Sequence, residues 1–188
     1  MPGWDAAREG MQKRKVGPAK PSTRMKVISM GDEGVGKSCL IKRYCEEKFV
    51  NKHVATIGID FGVKPVVIQG QPIRVNFWDL AGGEEYLEIR TEFYKDAQGA
   101  VLVFDVSDHK SFESLDHWLT EASTNGANSP VIAVCANKID VGKRSVSESE
   151  GKKWAAAHQA LYFETSAKDG SGVQKMFEGL FKQVCTQS

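Results

Sequence analysis

No apolar run among the 188 residues comes near the roughly 18 that cross a bilayer; the longest, "GAVLVFDV" at 99–106 and "VIAVCA" at 131–136, are strand-sized. The N-terminus lacks a signal-peptide apolar core, and Pro2 stands where myristoylation needs glycine, so neither secretion nor that anchor is expected. Cysteines are few, at 39, 45, 135 and 185, and fit no zinc spacing; the chain is also far larger than the disulfide-dense class, which suits a reducing cytosol. A charge excess of one sign is missing too. The formal net charge is +1; residues 1–24 hold six of the 25 basic and two of the 24 acidic residues, leaving 19 against 22, which argues against a nucleic-acid-binding core. No internal repeat is visible.

What is present is enough apolar residue, 41% of the chain, for one soluble domain that buries about two-thirds of its unfolded surface. Residues 1–23 mix Pro, Gly and basic residues without sustained periodicity and read as a flexible basic tail, either a solvated leader or a contact for an acidic membrane or partner. The domain is expected over 24–188. There, short apolar runs ("MKVISM", "AVLVFDV", "VIAVCAN", "LYFETSA") alternate with helical stretches at 37–47, 111–123, 147–159 and 172–185. Such alternation predicts an α/β fold with a mainly parallel sheet covered on both faces. The strand pair 62–68 and 73–79, separated by Gln69-Gly70-Gln71-Pro72, predicts one antiparallel edge. Ser147 and Glu150 offer a capping box, and Val173, Met176, Phe177, Leu180, Phe181 and Val184 recur at helical spacing as core.

"GDEGVGKS", Gly31 to Ser38, matches G-x-x-x-x-G-K-[ST] directly after a strand and before a helix. In that context backbone N–H groups curl around phosphate oxygens at a helix N-terminus, which makes Glu33, Gly34, Val35, Gly36, Lys37, Ser38 and Cys39 phosphate-binding candidates. Lys37 supplies charge to the β and γ phosphates, and Ser38 a hydroxyl to Mg2+. "ANKID" (136–140) follows a strand and carries the base reader. A carboxylate there accepts from N1–H and the 2-amino group of guanine but is left unpaired by adenine, so Asp140 selects guanine. Asn137 would tie the site together, and the stem of Lys138 can cover the purine face. "TSAK" (165–168), with Ser166, Ala167 and Lys168, ends the next strand.

These motifs, in this order over about 24–185, resemble the Ras-superfamily small GTPases. "IGIDF", "FWDLAG" and "LVFDVS" look Rab-like, and "KVISMGDEGVGKSCLIKRYCEEKF", "FYKDAQG" and "CANKID" look closest to the Rab-like GTPases that usually carry a C-terminal J domain. The resemblance implies a six-stranded P-loop G domain of about five helices that binds GTP and GDP with Mg2+. It implies that Thr56 in switch I reaches the metal when the γ-phosphate is present, that Asp79 holds the metal through water, and that the Gly82 N–H meets the γ-phosphate. Phe49 would pack on guanine and Ala167 would donate to its O6. Effectors would bind switch I and II, with Phe61, Trp78 and Phe93 either a surface triad that reads nucleotide state or simple packing; an exchange factor and a monomeric, cytoplasmic chain, peripheral to a membrane or cilium-associated machinery through partners, complete the expectation.

Departures from the family pattern matter more. Gly83 stands where most relatives have the glutamine that orients the attacking water, so intrinsic hydrolysis slower than that of a typical Ras protein is expected and no catalytic residue is assigned. Glu33, where Ras has glycine, is either a harmless exposed acid or an obstacle to hydrolysis and activating proteins. Glu84 and Glu85 are poor substitutes, since a triphosphate repels a carboxylate, and His53 reads as an exposed loop histidine rather than a phosphate cover. "CTQS" fits C-a-a-X only superficially, because the last helix runs almost into Cys185, so prenylation is not expected. The sequence contains no His-Pro-Asp, so nothing is implied about Hsp70, and a stop just ahead of a J domain would account for the abrupt end. Two functions stay open: a slowly hydrolysing switch, or a non-cycling module that keeps nucleotide as a structural ligand.

Overall fold

The computed structural model describes residues 23–49 and 54–187; the expectations for the leader, for His53 and for Ser188 lie outside the described residues. Six strands form one sheet: β1 (Thr23–Met30), β2 (Ile59–Ile68), β3 (Gln71–Leu80), β4 (Gly99–Asp105), β5 (Val131–Asn137) and β6 (Leu161–Glu164), in the spatial order β2-β3-β1-β4-β5-β6. All neighbours are parallel except β2 and β3, the α/β plan the apolar runs predict. The helices are α1 (Lys37–Glu46), α2 (Leu87–Thr91), α3 (His109–Glu113), α4 (Leu115–Thr124), α5 (Glu148–Ala157) and α6 (Val173–Gln187). Ser114 keeps helical dihedrals (φ −71°, ψ −12°), so α3 and α4 run on as one stretch and the α-helical stretches among the described residues number five.

The β4 run "GAVLVFD" is buried at every position, as a central parallel strand must be. One face of the sheet packs against α1 and α6 around Phe77, Phe177 and Phe181; the other packs around Phe104, Leu115 and Trp118. All six apolar positions marked on α6 are buried, and the capping box at Ser147 and Glu150 is formed in both directions. Cys185 continues α6 and packs against the core.

The hairpin differs from its expected form. β2 and β3 pair over ten residue couples from Ile59↔Leu80 to Ile68↔Gln71, leaving a two-residue turn at Gln69 (φ 49°) and Gly70 (φ 77°). Gln71 and Pro72, expected in the turn, belong to the strand. Among the described residues pairing with β1 begins at Ile73, one residue past Pro72. The other unforeseen element is the turn at Glu84–Tyr86 that leads into α2, which is too short to show a helical period. The loops after β1, β3, β5 and β6 leave the sheet at the strands' C-terminal ends, where open α/β sheets bind ligands.

Candidate functional site

Leaving β1, the chain wraps through Gly31–Gly36 and enters α1. Gly36 has φ 102°, and a Cβ there would lie 2.3 Å from Asn137 Nδ2, so both conformation and space demand glycine. No side chain caps α1, whose first residues line a cavity of ≈ 360 Å³, within the usual size of a small-molecule site. Lys37, 7% exposed, donates its ammonium to Gly31 O (2.7 Å) and Asp32 O (2.8 Å) across the loop. Burial pushes that ammonium down to about 8, against the favourable charges of Asp79 and Asp32. A buried cation above uncapped helix N–H groups is a cradle for an anion.

Beside it, oxygen groups from α1, from the loop ahead of β2 and from β3 converge. Ser38 Oγ lies 2.7 Å from Thr56 Oγ1 and donates to the Asp79 carboxylate, whose other oxygen accepts from Ser29 Oγ at 2.6 Å. Ser29 in turn accepts from Leu80 N at 3.1 Å, which fixes the end of β3 against β1. Burial raises the Asp79 carboxyl, while the hydrogen bonds from Ser29 and Ser38 and the charge of Lys37 act to lower it. Two hydroxyls and one carboxylate, without nitrogen or sulfur, fit a small hard dication such as Mg2+.

The far end of the cavity is built by β5 and β6. Asn137 Nδ2 donates to Val35 O (2.8 Å), while its Oδ1 accepts from Thr165 Oγ1 (3.2 Å) and Ala167 N (3.3 Å). One amide thus joins the phosphate loop to the 165–168 segment. Asp140 Oδ1 accepts from Ser166 Oγ at 2.6 Å, which aims its carboxylate, and Lys138 pairs with Asp105 at 2.7 Å. Phe49, Lys138, Asp140, Ala167 and Lys168 line the same cavity as Glu33, Gly34, Gly36, Lys37, Ser38, Cys39, Thr56 and Gly82. Of the sequence-named binding residues, Val35, Asp79 and Ser166 are not lining residues and contribute from behind, Val35 through its carbonyl, Asp79 through Ser38 and Ser166 through Asp140.

At the fourth side the segment 82–86 closes over the cavity. Gly82 is pressed on the phosphate loop so closely that a Cβ would meet Glu33 N at 2.5 Å. At Gly83 the space a side chain would take is filled by Glu85, whose Oε2 lies 2.4 Å from the position of an ideal Cβ. Glu33 is exposed at the rim. Behind the segment, Arg90 is buried at 2% exposure; it donates Nε and Nη2 to Glu121 (2.6 and 2.8 Å) and Nη1 to Gly83 O (2.5 Å). Its guanidinium lies 4.6 Å from the centre of the Trp118 ring, and Trp118 Nε1 donates to Asp32 Oδ1 at 2.7 Å. Sequence reasoning missed Arg90 and Glu121; charged residues inside "YLEIRTEF" give no hint of a partner 31 positions away. Phe61, Trp78 and Phe93 form a row of mutually tilted rings with centroids 4.5 and 4.9 Å apart; Phe61 is exposed, while Trp78 and Phe93 also pack against the core.

A strand, a glycine loop with a buried lysine, and a helix N-terminus at the C-terminal edge of a mainly parallel sheet define a P-loop domain. Residues 26–186 match the model of the Ras family, and the chain belongs to that family, whose domain implies guanine-nucleotide binding. It is similar to DnaJ homolog subfamily C member 27-A of Xenopus laevis, 51% identical over 180 residues, covering 93% of this chain and 65% of that protein. It is also similar to DnaJ homolog subfamily C member 27 of Gallus gallus (51% over 172 residues, 88% of this chain and 63% of the relative) and of Mus musculus (51% over 178 residues, 92% and 64%). The chain therefore spans a little under two-thirds of the length of these relatives. Among the described residues no helix is long and apolar enough to cross a membrane.

Proposed function

We propose that this chain is a guanine-nucleotide switch that binds GTP or GDP with Mg2+ and presents residues 56–61 and 82–93 to effector proteins, with weak intrinsic hydrolysis. The observation that carries the reading is the amide of Asn137, which joins the phosphate loop at Val35 to Ala167 and so puts Lys37 and the guanine-selective Asp140 at two ends of one cavity. Ser38, Thr56 and Asp79 would hold the metal, which when bound neutralises charge on the β and γ phosphates. Thr56 and Gly82 come from segments that flank one hairpin, so a single γ-phosphate is placed to order both and its loss to release them. Phe61 and Phe93 belong to those two segments and both pack on Trp78, so a partner that binds this triad would feel either segment move.

Slow turnover follows from residue 83. Glutamine-bearing Ras hydrolyses GTP at about 10⁻⁴ to 10⁻³ per second without help, and here no side chain at 83 orients the water. A Glu85 carboxylate standing in the vacated volume is poorly suited to a site full of phosphate charge. The backbone at Gly83 (φ −70°, ψ 145°) accepts any residue, so Gly83→Gln is unstrained provided that the flexible Glu85 swings away. Single-turnover hydrolysis is expected to be slower than in glutamine-bearing relatives, to rise in Gly83→Gln, and to rise further in Gly83→Gln/Glu85→Ala. Wild-type turnover as fast as theirs would overturn the slow-hydrolysis reading, and failure of the purified protein to carry or take up guanine nucleotide would overturn the whole.

The non-cycling alternative has one observation in its favour: Arg90 anchors the Gly83 carbonyl from within a buried ion pair, which restrains the segment that a cycling protein must release. Hydrogen exchange of residues 82–93 in the GDP and GTP-analogue forms separates the two. Equal protection supports the static module, and a nucleotide-dependent difference supports the switch.

A further inference from the structure

We infer that Arg43, which does not line the cavity, is the positioning residue for recognition of the 6-oxo group of guanine, acting through the backbone of Ala167. The inference rests on the guanine-nucleotide reading above. Arg43 stands in the last turn of α1, and its guanidinium serves three carbonyls at once: Nε donates to Ala167 O at 2.8 Å, Nη2 donates to Lys168 O, and Nη1 donates to Glu47 O at 3.1 Å. The first two acceptors are consecutive peptide groups of the base-reading segment; the third closes α1 at Glu47, which has left-handed dihedrals (φ 57°, ψ 21°). Two residues on, Phe49 follows, and its ring centre lies 5.9 Å from the same guanidinium.

One planar fork therefore sits behind both walls of the base end of the cavity, Ala167 at the edge and Phe49 at the face. The geometry requires arginine, because only a guanidinium presents several fixed N–H donors in one plane; a lysine ammonium could serve these carbonyls only in turn. Besides the backbone bonds of Thr165 N to Ala136 O, Ser166 N to Ser171 O and Gly170 N to Ser166 O, the 165–168 segment is held by Asn137 on the Ala167 N–H at 3.3 Å and by Asp140 on Ser166. Those two groups are also the ones that face a base. Arg43 holds the next two peptides from outside, so that the Ala167 N–H keeps its direction when Asn137 and Asp140 turn their hydrogen bonds toward a ligand.

Holding the Ala167 N–H affects one edge of the base only, so its loss is separable from a general loosening. Three diphosphates serve as probes in competition with fluorescent GDP: GDP itself, 6-thio-GDP, whose sulfur is a weak acceptor at the 6-position, and IDP, which keeps the 6-oxo group and lacks the 2-amino group read by Asp140. Arg43→Ala should weaken GDP by about tenfold, the scale of one misdirected hydrogen bond. It should also shrink the preference for GDP over 6-thio-GDP while leaving the preference for GDP over IDP unchanged; Arg43→Lys should fall between. Circular-dichroism melting of each variant reports the fold, and Arg43→Lys carries the test should Arg43→Ala not fold. Equal losses for all three nucleotides, or unchanged affinities, would overturn the inference while leaving guanine binding intact. Absence of GDP binding by the unsubstituted chain would instead overturn the reading on which it rests.

Discussion

Arg90→Met should cost about 3–5 kcal/mol of unfolding free energy, because it leaves the Glu121 carboxylate buried without its cation. The pair is nearly sealed: side-chain exposures are 2% for Arg90 and 5% for Glu121, with Nε to Oε1 at 2.6 Å. Tyr94, fully buried, donates its hydroxyl to the same Oε1. A domain of this kind has about 5–15 kcal/mol in total, so the urea midpoint should fall by a large fraction. Replacing both charges in Arg90→Met/Glu121→Leu should recover most of the loss, since well-packed apolar groups are often no worse than a buried pair. A single substitution that leaves the midpoint within the effect of a surface change, or a double one no better than the single, would show that the pair is not a closed electrostatic unit. The acid limb gives an independent check. Burial acts to raise the Glu121 carboxyl, but the hydrogen bonds from Arg90 and Tyr94 outweigh it and hold the group below the ordinary glutamate range. With the folded value below the unfolded one of about 4.3, this stabilisation is complete above about pH 4.3 and is lost as pH falls through the folded value. The wild type should thus lose stability on acidification more steeply than the double variant.

Asp140→Asn should reverse base preference. Guanine offers two adjacent donors, N1–H and the 2-amino group, and a carboxylate accepts both; an amide matches only one and turns its own donor toward the other. Xanthine replaces the 2-amino group by an oxo group and restores the match. The substitution is conservative locally, because Asn Oδ1 can still accept from Ser166 Oγ, now 2.6 Å from Asp140 Oδ1, leaving Nδ2 free to face the base. Sites built around a buried hydrogen bond reject the mismatched ligand by about 10⁴-fold or more, which sets the scale of the expected loss of GDP affinity. Competition between GDP and XDP decides it, and a variant that still prefers GDP would remove Asp140 as the base reader.

How far the sequence spoke depended on whether a feature was local. The glycine loop, the parallel core strands, the Ser147 cap and the α6 stripe each draw their signal from neighbouring residues, and each lies where expected. Short elements were silent: α2 spans five residues, less than two turns, and the start of β2 at Ile59-Asp60 lacks an apolar run. Pro72 misled because proline marks turns more often than the first rungs of a strand. The least legible features were charges that become internal only through topology. Arg90 looks like any exposed helix arginine until α4 brings Glu121 to it, and Arg43 until the loop after β6 arrives. At Gly83 the identity of the residue was plain, but not that Glu85 folds back over it.

The hairpin of β2 and β3 carries a further consequence. Gly58 O accepts from Ala81 N at 2.9 Å just beyond the Ile59↔Leu80 pair, while the turn lies at the opposite end of the ladder. The segments bearing Thr56 and Gly82 are thus the two free ends of one stiff ribbon, and the number of residues in each strand, more than their identity, sets how those ends align. The ribbon is a ruler. Losing one residue from either strand would displace one end by a rung and turn Phe61 away from Trp78, misaligning the site while every residue that touches it remains in the sequence.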